Sequence, residues 1–337
     1  MIVTLTQSAL ITGGFGFIGS HIAKRLLSDQ LVDQVVLLDH FGGYINPLQP
    51  NFFDYRKLRI QGMEKHLVIE RGEASSPHLL YSLLSRYKPS TIFHLAAVPL
   101  ASLENLSSEE AMKGNIISTA ALFESIHTLY QVNGYKPNRF VYTSSSMVYG
   151  DFQYHPADEQ HPTQPKGLYA TMKLAGEVVT RGLAHLYQIP YTIIRPSAVY
   201  GPTDMNQRVS QIFIEKALKG ETLKVAGTDV ALDFTYVKDV AKGFVLAATH
   251  AAGINETFNI THGHSYTLLE YVEALKSHFP DLKYEVLPRD KTLPRRGALN
   301  IAKARQRLGF VPDYDLNKGL AEYVAFIKQH HPPDVKR

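Results

Sequence analysis

The stretch Thr12-Gly13-Gly14-Phe15-Gly16-Phe17-Ile18-Gly19 follows the apolar run Ala9-Leu10-Ile11 and opens an amphipathic segment. Read as a strand, a glycine turn and a helix start, it forms a cradle for a dinucleotide. Gly13 lets the chain leave the strand tightly, Gly16 lets backbone approach a pyrophosphate, and Gly19 lets the helix pack closely on the sheet. Phosphates held there face amides at a helix N-terminus, where the dipole favours negative charge. Glycines also serve ordinary turns, so the motif needs context. A second apolar run, Gln34 to Leu38, supplies it by ending in Asp39, twenty residues past Gly19. A carboxylate there accepts hydrogen bonds from both hydroxyls of an adenosine ribose and repels a 2′-phosphate, so NAD is expected rather than NADP.

Outward from this unit, apolar runs near 7–12, 34–39, 66–71, 91–96, 139–144 and 191–195 alternate with helical patterns near 17–28, 77–86, 108–130 and 168–187. Such alternation predicts an α/β fold, a Rossmann-type doubly wound parallel sheet. Beyond Pro202 the elements shorten. A helix is expected near 210–219, Asp233-Phe-Thr-Tyr-Val reads as a strand, and Asp239 as the cap of a following helix. Thr267 and Glu270 form a capping box ahead of Leu268 to Phe279, which Pro280 stops, and a last helix covers about 316–329. Residues 1–200 are therefore expected to form the dinucleotide-binding domain, with a return segment near 229–262. Residues 201–337 are expected to form a smaller α/β lobe over the carboxyl ends of the strands. The Gly-, Pro- and Asn-rich stretch 40–65 is longer than an ordinary connection, and such segments are more often functional than filler.

The 337 residues, 45% hydrophobic and 20% charged, are typical of a folded enzyme. No apolar run approaches the ~18 residues a spanning helix needs, and no leader-type sequence precedes the first strand, so a cytoplasmic protein without a membrane partner is expected. With no cysteine there is no disulfide, thiolate metal site or cysteine nucleophile, and the fifteen histidines show no ligand-type pairing on a helix, so no metal is expected. Lys and Arg exceed Asp and Glu by only 35 to 31, which suits an anionic small molecule and argues against nucleic acid.

Tyr169 and Lys173 lie four apart within a helical pattern and so share one face. A phenol titrates near ~10 in water, and a cation beside it favours the phenolate, making tyrosine a general base for a sugar hydroxyl. Alone, such a pair is more often a structural coincidence. The run Thr143-Ser-Ser-Ser-Met-Val-Tyr-Gly150 changes the balance, because it brings hydroxyls to the carboxyl end of the strand Arg139 to Tyr142, at the same crevice.

Taken together, Thr12 to Gly19, Asp39, His94-Leu-Ala-Ala, Asn115, the serine run, Tyr169-x-x-x-Lys173, Arg195-Pro-Ser-Ala-Val-Tyr-Gly-Pro202, Asp233-Phe-Thr-Tyr-Val and the closing Lys303-Ala-Arg...Leu-Gly-Phe-x-Pro312 resemble the extended short-chain dehydrogenase/reductase superfamily, in its NAD-dependent nucleotide-sugar epimerase/dehydratase branch. The resemblance runs over nearly the whole chain. It implies Tyr169 as the base, Lys173 as the group that lowers its pKa and holds the nicotinamide ribose, and Ser145 as the holder of the substrate hydroxyl. It implies that Glu73 contacts adenine and that Ala96 and Ala97 line the pyrophosphate. It extends the cofactor set to Phe17, Ile18, Ala74, Leu95, Asn115, Thr143 and Pro196. A homodimer built on the helices near 108–130 and 168–187 is implied as well, with Ile116, Leu122, Ile126, Val178, Leu183 and Leu186 as apolar candidates that would equally suit a core-facing helix.

Two departures from that pattern refine the expectation. Dehydratases of the branch carry an acidic pair just after the catalytic Ser or Thr, where this chain has Ser146 and Met147. Neither exchanges a proton at useful pH, which disfavours elimination and leaves epimerisation, expected at carbon 4 of a UDP-hexose or UDP-hexuronate, through transient oxidation to a keto sugar and return of hydride to its other face. The arginine usual before Asp-Phe-x-Tyr-Val is Leu232, so the diphosphate clamp is expected from Arg208, next to Val209, and from Arg295 or Arg296. Ala198 stands where many relatives place asparagine against the substrate. The rival readings are a net sugar dehydrogenase or reductase, a nucleotide-sugar dehydratase, and a non-catalytic NAD-binding regulator on the same fold.

Overall fold

The computed structural model describes residues 8–42, 54–97, 107–290 and 294–330. Its centre is a seven-stranded sheet. Six strands fall where the apolar runs predict them: β1 (Ser8–Thr12), β2 (Gln34–Asp39), β3 (Leu67–Arg71), β4 (Thr91–His94), β5 (Arg139–Thr143) and β6 (Tyr191–Arg195). A seventh, Glu256–Asn259, lies outside β6, and no strand was expected there. Every pairing in the sheet is parallel. From one edge the order is β3, β2, β1, β4, β5, β6 and the seventh strand, so the winding reverses between β1 and β4. At that reversal the loops leaving the strand ends diverge and open a crevice.

Strands β1, β4 and β5 are buried along their whole length, which is why they read as continuous apolar runs. Helix Phe17–Ser28 turns Phe17, Ile22, Ala23 and Leu26 inward on one face of the sheet, beside helix Val237–Thr249. The other face is covered by helices Pro77–Tyr87, Ser118–Asn133 and Leu168–Leu186, which bury Leu80, Leu84, Leu122, Ile126 and Ala184. Each fully buried Leu, Ile or Phe contributes about 1.5–3 kcal/mol to holding these layers.

The helix expected at 108–130 is Ser108–Met112 followed by a π-helical turn, Lys113–Ile117, and then Ser118–Asn133. Asp233 to Val237 is not one strand: only Thr235–Tyr236 pairs, with Val199–Tyr200, and helix Val237–Thr249 starts directly after it. Asp239 therefore lies within the first turn rather than at the cap, and its carboxylate accepts from the amides of Asp313 (2.8 Å) and Tyr314 (3.0 Å). The capping box of Thr267 and Glu270 is present, but its helix ends at Lys276, before Phe279.

The chain after Gly201 serves two bodies. Tyr200, Phe213, Leu223, Phe234, Tyr271, Leu320 and Tyr323 form a separate core for the smaller lobe. Ile301, Ala304, Leu308 and Phe310 instead pack into the sheet-face core with Phe244 and Phe258. Among the described residues, no helix is long and apolar enough to cross a membrane.

Candidate active site

The turn after β1 sits at the winding reversal. Gly13 has φ +68°, and a Cβ there would lie 3.0 Å from the Ala96 amide, so both conformation and space call for glycine. At Gly19 a Cβ would meet the Gly13 carbonyl at 2.6 Å, which is how closely the helix is seated on the turn. The helix starts at Gly16 with no side-chain cap, leaving its entrance open to an anion. Asp39, at the end of β2, accepts hydrogen bonds from the amides of Phe15 (3.1 Å) and Phe41 (2.9 Å) and lies 3.5 Å from His40 Nδ1. Burial works against its ionisation, but His40 and the two amides outweigh it and hold the carboxyl below its usual range.

A cleft of about 550 Å³ runs from this carboxylate to Tyr169. It is lined by Gly13, Gly16, Phe17, Ile18, Gly19, Asp39, Glu73, Ala74, Leu95, Ala96, Ala97, Thr143, Tyr169, Lys173 and Arg208. The sequence did not point to Phe15, His40, Arg56, Arg59, Lys113, Ser118 and Met205, which also line it. Arg59 donates to the carbonyls of Phe15 (2.8 Å) and Thr203 (2.6 Å), tying the glycine turn to the small lobe. Arg56 and Arg59 of the unassigned stretch thus wall the cleft; residues 43–53 lie outside the described residues.

Tyr169 and Lys173 occupy the first turns of helix Leu168–Leu186. Lys173 is 4% exposed, and its Nζ donates to the Thr143 carbonyl at 2.9 Å, 5.9 Å from the centre of the Tyr169 ring. Burial lowers its pKa to about 7. Burial raises the Tyr169 phenol, opposed by Arg208, by a hydrogen bond from the Ser145 hydroxyl and by Arg296. Ser145 caps the short turn Ser146–Tyr149, its Oγ accepting from the Met147 amide (3.2 Å). Thr143 Oγ1 and Ser146 Oγ are buried and have no partner among the described residues.

Beneath the cleft, His94 bridges three elements. Its Nδ1 lies 2.7 Å from Thr12 Oγ1, and its Nε2 lies 3.1 Å from Thr119 Oγ1 and 3.2 Å from Ser118 Oγ. Thr119 and Ser118 direct their own protons to the carbonyls of Asn115 and Gly114, which assigns the ring proton to Nε2. Burial, with Lys173 nearby, lowers its pKa to about 3.

The expected residues outside the cleft divide by role. Asn115 lies buried within the π turn, its Nδ2 donating to the Ala111 carbonyl (2.9 Å), and Pro196 offers its carbonyl to the Ser146 amide (2.9 Å). Neither is among the residues that line the cleft. Ala198, at φ +36°, and Val209 pack on the core of the small lobe. Arg208 points into the cleft, its Nη1 3.5 Å from the buried carboxylate of Asp204. Arg295 is exposed, its amide held by Asp151 at 2.7 Å, whereas Arg296 is partly buried and its charge acts on Tyr169. Both line a second cavity of about 180 Å³ with His155, Asp229 and Arg289. Among the described residues no three His, Asp or Glu side chains converge as a metal site.

Residues 9–261 match the family model described as the NAD dependent epimerase/dehydratase family. The chain belongs to that family. A UDP-glucose 4-epimerase of Mycolicibacterium smegmatis is 32% identical over 95% of this chain and 98% of its own. A dTDP-glucose 4,6-dehydratase of Actinoplanes is 26% identical over 95% and 97%. The crystal structure of a UDP-glucuronic acid 4-epimerase from Bacillus cereus, in complex with UDP-glucuronic acid and NAD, superposes with a TM-score of 0.85 at 27% identity, covering 96% of this chain and 100% of that one. The cofactor of this epimerase/dehydratase family member is NAD. The cleft fits it: a glycine-lined turn at one end, a ribose-type carboxylate at Asp39, and at the other end an ammonium that spends one hydrogen bond on Thr143.

Proposed function

We propose that this enzyme interconverts the carbon-4 epimers of a nucleotide-diphosphate sugar, a UDP-hexose or a UDP-hexuronate. One observation carries the reading. Tyr169 and Lys173 lie at one end of the cofactor cleft with the Ser145 hydroxyl hydrogen-bonded to the Tyr169 phenol, while Ser146 and Met147 occupy the next positions of the serine turn and offer no group able to exchange a proton. When bound, NAD supplies the acceptor and donor of hydride. Tyr169 takes the proton from the sugar hydroxyl and returns it, with Lys173 as the cation beside the phenolate and Ser145 steadying the reacting oxygen. Because the base serves both directions and neither Ser146 nor Met147 supplies a second acid, the sugar carbon can be oxidised and reduced again but its neighbours are left intact.

Arg208 and Arg296 are the groups that would face a diphosphate in place of the arginine missing at Leu232, since the charges of both reach Tyr169. A planar guanidinium clamps phosphate oxygens with two parallel bonds. Names among the relatives include both epimerases and dehydratases, and Ser146 with Met147 favours the former. We place the enzyme in the cytoplasm as a homodimer.

Incubating the purified enzyme with UDP-sugars and following products by NMR tests this. Carbon-4 epimers should form without net NADH, and Tyr169→Phe should lower turnover by about 10²–10⁴-fold, the usual worth of a general base. Accumulating NADH with a stable oxidised product would mark a net dehydrogenase. A 4-keto-6-deoxy product would mark a dehydratase and overturn the argument from Met147.

A further inference from the structure

The serine turn is held from below by a charge pair that the reaction itself does not use. Glu177 lies eight residues after Tyr169 on the same helix and is fully buried. Its carboxylate receives the Ser144 hydroxyl at 2.5 Å, a two-point fork from Arg195 at 2.8 and 2.7 Å, and Arg181 at 2.8 Å. Burial alone would raise its pKa, but Arg195, Ser144 and Arg181 hold it ionised. Arg195, itself 3% exposed, donates in addition to the Tyr149 hydroxyl at 3.0 Å and stacks on that ring at 4.8 Å. The Tyr149 hydroxyl donates in turn to Asn259 Oδ1 at 2.7 Å.

We propose that the Glu177–Arg195 pair is a positioning unit that clamps both ends of the turn carrying Ser145 to the helix carrying Tyr169. Ser144 precedes the turn and Tyr149 closes it. In extended chain, neighbouring side chains point to opposite sides, so a Ser144 directed inward at Glu177 leaves Ser145 directed at the cleft. A buried ion pair seldom adds stability over apolar packing, but its fork fixes direction and distance in a way that apolar contacts do not. The proposal rests on Tyr169 being the base. Neither Glu177 nor Arg195 lines the cofactor cleft, so both act through Ser144 and Tyr149.

The test removes the link and spares the pair. In Ser144→Ala, kcat should fall by about 10-fold or more, since a misplacement of 1 Å costs on the order of 10²-fold, while KM and bound NAD stay at wild-type values and Tm drops only by the worth of one lost hydrogen bond. Ser144→Thr should recover most of the loss. A second reading needs no substrate: titration of the NAD-loaded enzyme at 295 nm, as a difference from Tyr169→Phe, should show the Tyr169 phenol ionising at higher pH in Ser144→Ala, because Ser145 no longer favours its phenolate. An unmoved titration overturns the clamp. So does an unchanged kcat in an active enzyme, or a loss that tracks falling NAD content and Tm and is not rescued by threonine. A wild type inactive on every nucleotide sugar would instead strike the epimerase reading, leaving the titration to judge the clamp.

Discussion

Lys173 has been taken out of water for one purpose. Its ammonium is nearly inaccessible, makes one hydrogen bond to Thr143, and is lowered by burial to about 7, while the same burial raises the phenol of Tyr169. A cation near a phenol shifts its equilibrium toward the phenolate, the form that acts as base. Lys173→Met should therefore cut kcat at pH 7 by about 10²–10³-fold and move the rising acid limb of the kcat–pH profile to higher pH, so that alkaline conditions restore part of the rate. A profile of unchanged shape would show that the lysine only holds the cofactor. This pair was legible in the sequence because helical spacing places both residues on one face and the serine run brings hydroxyls to the same crevice. The distinction between Arg295 and Arg296 was not, since the two are adjacent in a segment without regular periodicity and only the pairing of the Arg295 backbone with Asp151 and Phe152 turns one outward. Arg59 was equally silent: its partners are carbonyls 44 and 144 positions away, and no local pattern encodes them.

Elements with long apolar runs announced themselves, and short ones did not. The seventh strand buries only Phe258 and Asn259 of its four residues, too few to stand out from a loop, and it is recognisable only once β6 is present beside it. The same mixed signal affects the helices expected to pair subunits. Leu122 and Ile126 are fully buried in the sheet-face core, so they are not available for a dimer. Of the other candidates Val178 and Leu186 face outward (61% and 66% exposed), and beside their helix Met112 of Ser108–Met112 and Ile117 of Lys113–Ile117 are outward as well (42% and 50%). Adjacent helices that leave such side chains in water gain by burying them against a second copy, as isologous pairs do. Val178→Glu with Leu186→Glu should reduce the mass found by sedimentation equilibrium from two chains to one while leaving the far-UV spectrum unchanged. A wild type that sediments as one chain would remove these helices as an interface.

At the scale of the molecule, the strain of building a polar site inside an apolar sheet should show in its response to acid. His94 joins β1, β4 and helix Ser118–Asn133 through Thr12, Thr119 and Ser118, and burial keeps it neutral down to about pH 3, against 6.5 for a free imidazole. Above about 6.5 the ring is neutral in both folded and unfolded chains, and its contribution to stability is complete. As pH falls from about 6.5 toward about 3, the unfolded chain binds a proton that the folded chain refuses. Stability is then lost at up to about 1.4 kcal/mol per pH unit for this one group. Urea unfolding at pH 7.5 and at pH 5 should show that loss, and His94→Gln, although less stable at both, should lose about one proton's worth less between them. The comparison of slopes cancels the other titrating groups, because both proteins share them. Equal slopes would mean that water reaches this ring and that it protonates in place, in which case the hydrogen bonds to Thr12 and Thr119 could not be what fixes the floor of the cofactor cleft.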